Sequence, residues 1–89
     1  MMKYRTKSVE IEAIQFTSVA ADVLMDIQDF MDVDILTVSY TTPSDPVIKL
    51  ETPGGTVNVH LGDYIIKGLE GEFYPCKLEP FRKKYELIT

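Results

Sequence analysis

Residues 8–16, Ser-Val-Glu-Ile-Glu-Ala-Ile-Gln-Phe, alternate apolar and polar side chains at the two-residue period of a half-buried β-strand. Val9 and Ile11 share one face, whereas Ile14 and Phe16 have the opposite parity. This slip predicts either a bulge near Ala13 or a strand covered on both faces, and the bulge is the preferred reading. The period then changes. Thr17 or Ser18 is placed to accept a hydrogen bond from a free N–H of a first helical turn, and a helix is predicted over 19–31. At about 100° per residue, Val19, Val23, Ile27 and Phe30 fall on one side, with Ala20, Leu24 and Met31 adjoining. Asp22, Asp26 and Asp29 line the other side.

Beyond Asp34 the pattern is that of short strands. Residues 35–40 alternate through Leu36, Val38 and Tyr40, and residues 41–46 carry two prolines, which cannot donate to a sheet ladder and so mark a loop. Residues 47–52 and 56–61 flank Pro53-Gly54-Gly55, where glycine supplies the positive φ of a tight hairpin. Val57, Val59 and Leu61 are expected to face inward, leaving Thr56, Asn58 and His60 outward. Gly62-Asp63 and Gly68-Leu69-Glu70-Gly71 turn the chain through strands at 64–67 and 72–77, and Pro75 marks the latter as an edge strand or a bulge. Residues 79–84 can form one helical turn with Pro80 at its first position, and residues 85–88 can close as a strand.

The expected fold class is therefore α+β. One amphipathic helix packs on a strongly bent, mostly antiparallel sheet, or incomplete small barrel, of about five to seven short strands. The 89 residues suit a single domain, 1–89, of marginal core size, for which homo-oligomerisation would help. No apolar run approaches the length of a bilayer span, and Met1 to Arg5 leads into no signal-peptide core, so a cytoplasmic, membrane-free protein is expected. A net charge of -5 has the wrong sign for holding nucleic acid through counterion release. The lone Cys76 and lone His60 exclude an internal disulfide and a zinc site of Cys and His residues, and no cofactor is expected.

Charge is unevenly spread. Residues 8–48 hold eight acidic residues and no Lys or Arg, whereas residues 49–89 hold six of each sign. Asp22, Asp26 and Asp29 could attract a basic protein that normally grips nucleic acid, or could simply solvate the helix. They lack the Asp-x-Asp-x-Asp-Gly loop of a calcium site, so no metal is assigned to them. Tyr64, Lys67, Tyr74 and Lys77, with Tyr85, form an aromatic and basic set able to hold a nucleotide-like ligand, although strand alternation should split it between two faces. His60, Asp63 and Cys76 could serve a small hydrolase as base, orienting group and nucleophile. No glycine-rich elbow surrounds Cys76, and a surface histidine with a packed cysteine is the simpler account.

Tyr4-Arg5-Thr6-Lys7, Ile11-Glu12-Ala13-Ile14-Gln15-Phe16, Gly62-Asp63-Tyr64-Ile65-Ile66-Lys67-Gly68 and Gly71-Glu72-Phe73-Tyr74-Pro75-Cys76-Lys77, with Phe81 closing, carry a likeness at both ends of the chain. The sequence resembles a family of small bacteriophage and prophage proteins with no assigned activity, so no catalytic residue is carried over. The resemblance implies a phage or integrated prophage gene acting in a bacterial cytoplasm, in accessory roles such as blocking or buffering a host factor. A purely architectural reading of the two ends is also available. Were the first strand to pair with the strand holding Phe73 to Lys77, Glu12 or Glu72 would meet Arg5, Lys7 or Lys77, covered by Tyr74. The leading expectation is a non-enzymatic interaction module, with a small-ligand binder and then a hydrolase as alternatives.

Overall fold

The computed structural model describes residues 2–5 and 10–88. Strands β1 (Met2–Arg5), β2 (Glu10–Gln15), β6 (Tyr64–Lys67), β7 (Phe73–Cys76) and β8 (Glu86–Ile88) form one antiparallel sheet in the order β7-β6-β2-β1-β8. Strands β3 (Val38–Ser39), β4 (Val47–Thr52) and β5 (Gly55–His60) form a second, three-stranded antiparallel sheet. Helices α1 (Ala21–Met31) and α2 (Leu78–Lys84) complete an α+β fold. The sheet expected to bend or curl into a partial barrel is thus two sheets, neither closed on itself. The break falls at 61–63, where the chain turns out of β5 and enters the other ladder.

Parity explains the packing. Ile14, Phe16, Ile65 and Phe73 point to one side of the five-stranded sheet, where they meet Ile27, Phe30 and Met31 of α1 and Ile48, Leu50 and Val59 of the second sheet. Ile11, Ala13, Tyr64 and Ile66 point to the other side, where Phe81 of α2 covers them together with Tyr4, Cys76 and Tyr85. The slip in the β2 pattern is therefore a strand buried on both faces. No bulge lies at Ala13, because β2 keeps continuous register with β1 and β6. An extra residue does occur opposite Phe16, on the other strand. Phe16 donates its N–H to Asp63 O at 2.9 Å and accepts the Gly62 N–H at 2.7 Å, so two residues oppose one.

Helix α1 begins at Ala21, with Ala20 as N-cap and no side-chain cap, rather than behind a capping Thr17 or Ser18. The Ser18 hydroxyl instead accepts the Ala20 N–H at 3.2 Å. Val19 consequently lies outside the helix and is exposed. The helix stops at Asp32, whose φ of 53° is left-handed, a conformation that Asp tolerates better than most residues. Only Val38 and Ser39 of the predicted 35–40 strand pair, and Ile35 and Tyr40 are exposed. The hairpin forms around Pro53 and Gly54 as expected, although Leu61 faces solvent because β5 ends at His60. Pro75 does sit in an edge strand. Pro80 is the third residue of α2, not the first. Strand β2 pairs with β1 and β6, so the imagined pairing of Glu12 with the 73–77 strand does not form; Lys7 lies outside the described residues. Among the described residues, no helix is long and apolar enough to cross a membrane.

Candidate functional site

Helix α1 settles Phe30 against Phe73 edge-on, ring centroids 5.8 Å apart, and thereby turns Asp22, Asp26 and Asp29 outward. Asp26 and Asp29 border a cavity of about 480 Å³ that wraps over the sheet where β2 runs past Met2. Ile14 and Phe30 line it from the α1 side, and Tyr4 and Tyr64 from the α2 side. Asp22 lies outside this lining. Gln15 fixes the rim, donating from Nε2 to Gly62 O at 3.0 Å.

The two tyrosines are held firmly. Tyr64 stacks on Phe81 with centroids 3.7 Å apart and planes 4° from parallel, and Tyr4 meets Tyr64 edge-on at 6.0 Å. Burial pushes the Tyr4 phenol above its ordinary value, and the neighbouring Tyr64 pushes it the same way. The Tyr4 phenol therefore stays neutral at physiological pH. Among the described residues no Lys, Arg or His lines the cavity. Two carboxylates at one wall, phenols at the other and an apolar floor between suit an ammonium or guanidinium whose aliphatic stem lies across Ile14 and Phe30.

The remaining predicted residues are dispersed. Lys67 borders a separate cavity of about 420 Å³ at the far end of the sheet, where Glu12 lies between Lys3 and Lys67 in the ladder. Tyr74 shares the Tyr64 face but is exposed, and Lys77 reaches the buried Asp63 carboxylate at 3.4 Å. The face-splitting expected of this set is what the register gives, and it leaves Tyr64 alone at the groove.

The His60 imidazole is oriented by Asp45 rather than by Asp63. Asp63 Oδ2 accepts the backbone N–H of His60 at 3.0 Å, while the imidazole Nδ1 lies 3.0 and 3.2 Å from the two oxygens of Asp45. Burial pushes the Cys76 thiol up; Lys84 pulls it down, and Asp63 pushes it up further. A nucleophilic thiol needs the opposite shift. Among the described residues, no group of three or more His, Cys, Asp or Glu side chains is placed to hold a metal ion.

The reading from sequence did not place Tyr4 or Gln15 at the acidic helix, nor Asp45 beside His60. For Asp45 a signal existed. A hairpin turning at Pro53-Gly54 sets Val47 opposite His60, and Asp45 is two residues before Val47 on the side of His60. No protein family, curated protein or solved structure matches this chain.

Proposed function

We propose that this chain is a non-enzymatic interaction module of phage or prophage origin that binds a basic segment of a host protein in the groove that wraps from α1 over the five-stranded sheet at β2. One observation carries the reading. Asp26 and Asp29 share a single cavity of about 480 Å³ with the Tyr4 and Tyr64 pair, and among the described residues no cation lines it. The phage origin rests on the resemblance of the two ends of the sequence. Binding driven by two exposed carboxylates should be fast, modest in affinity and salt-sensitive.

The test is a titration of ¹⁵N-labelled protein with a short peptide alternating Arg and apolar residues, and with its Glu-for-Arg counterpart. The Arg peptide is expected to shift the Asp26, Asp29 and Gln15 amides saturably, and the double variant Asp26→Asn, Asp29→Asn to lose the effect. Equal response to the Glu peptide, or saturable shifts confined to another face, would remove the basic-partner reading.

A further inference from the structure

The outer face of the three-stranded sheet gathers the other concentration of polar chemistry. Val47 lies between Ser39 on β3 and His60 on β5, and Lys49 lies opposite Asn58 one step further along the same face. The loop 41–46 folds over this end of the sheet, held by a turn in which Asp45 N–H donates to Thr42 O at 2.9 Å. The result is an open cavity of about 280 Å³ to which Ser39, Thr41, Asp45, Lys49, Asn58 and His60 all contribute.

How these groups pair decides what they can recognise. Both Asp45 oxygens lie within 3.2 Å of His60 Nδ1, and Asn58 Oδ1 accepts from Lys49 Nζ at 2.8 Å. The Ser39 and Thr41 hydroxyls lie 3.0 Å apart. The strongest acceptors of the cavity are thus engaged within it by His60 and Lys49. What remains is mainly donor: the Asn58 amide N–H groups, the other Lys49 N–H groups, a hydroxyl hydrogen, and His60 Nε2–H whenever the ring carries two protons. Lys49 and Asp45 offset each other in charge, so the cavity offers an anion hydrogen-bond donors rather than a net charge. The nearest further carboxylate on the strand, Glu51, is bound by the Thr56 hydroxyl.

We infer that this cavity is a site for a small oxyanion of the phosphate class, free or as a monoester, held by Lys49, Asn58, His60 and the Ser39–Thr41 hydroxyl pair. It is independent of the groove at α1. The overall charge of -5 is compatible with a small anion seated in a local pocket of donors and opposes a long polyanion. Asp45 orients the ring, so His60 reports the site directly.

The experiment follows the His60 ring and Asn58 side-chain amide signals of the whole protein during titration with sodium sulfate, inorganic phosphate and a simple alkyl phosphate, against chloride at matched ionic strength. Sulfate is expected to bind saturably. Lys49→Gln should weaken binding about tenfold, the loss of one charge-assisted hydrogen bond. His60→Gln should weaken binding while leaving the fold intact, since the His60 side chain lies at the surface. Tighter binding of the alkyl phosphate than of inorganic phosphate would assign the site to a monoester, and the reverse order to the free anion. Shifts that merely track chloride, or a Lys49→Gln variant with unchanged affinity, would overturn the inference.

Discussion

Asp63 closes the turn that delivers the chain from one sheet to the other: its carboxylate accepts the His60 backbone N–H at 3.0 Å, while its own N–H donates back to His60 O at 3.0 Å. The side chain is buried and also meets Lys77. Replacing it with Ala leaves a backbone N–H without its acceptor, so Asp63→Ala is expected to cost about 1–3 kcal/mol, read as a lower urea midpoint. Asp63→Asn keeps an oxygen at the same place and should cost less.

The same turn depends on Gly62, whose φ of +92° lies where side-chain-bearing residues are strained. A Cβ there would meet nothing within 4 Å, so the penalty is purely one of backbone conformation. Gly62→Ala should destabilise by about 1 kcal/mol. Gly54→Ala is the control: Gly54 is not among the glycines with positive φ, its Cβ would only touch Thr52 Oγ1 at 3.8 Å, and its stability should change by less than about 0.5 kcal/mol. Thermal melts of the two variants side by side decide the matter.

These two residues also mark what the sequence makes legible. Local signals are legible where chemistry acts over a few residues: the Pro53-Gly54 hairpin, the turn at Gly62, the edge position of Pro75 and the apolar stripe of Ile27 and Phe30. Long-range pairing was not readable. That Phe81 should cover the far face of β2 depends on α2 docking across a sheet built from both ends of the chain, and nothing local to 78–84 states it. Parity alone hinted at it through Ile11 and Ala13 against Ile14 and Phe16, yet the same slip fits a bulge. The carboxylate side of the groove was visible as Asp26 and Asp29, but the opposing Tyr4 comes from a strand of four residues, too short to show a period.

Alkaline pH should weaken the α2 face. Tyr4 and Cys76 both titrate above their ordinary values, chiefly because burial penalises the charged form. In each case the folded protein holds its proton longer than the unfolded chain. Stability is therefore full below the unfolded values and falls as pH rises past them, from about pH 8.5 for the thiol and about pH 10 for the phenol. The urea midpoint should drop between about pH 8 and about pH 10.5, less steeply in Cys76→Ala and Tyr4→Phe than in the parent. Alkylation of Cys76 should likewise be slower in the native protein than in urea. A midpoint that stays level across this range would contradict the burial argument.

Phe81 links stability of the far face to the proposed binding groove. Its ring is stacked on Tyr64 at 3.7 Å and also packs edge-on against Tyr4 at 4.7 Å, so it sets the position of both phenols that line the cavity. Phe81→Ala should cost about 3–5 kcal/mol, a large part of the stability of so small a domain. Phe81→Leu retains most of the apolar contact and should keep the protein folded while losing the flat surface that orders Tyr64. The Leu variant is then the informative one. Its near-ultraviolet tyrosine dichroism should fall, and the Arg peptide should bind more weakly even though Asp26 and Asp29 are untouched. If the Leu variant bound the peptide as tightly as the parent, the carboxylates alone would be sufficient and the tyrosine wall would be architecture for α2 rather than part of the groove.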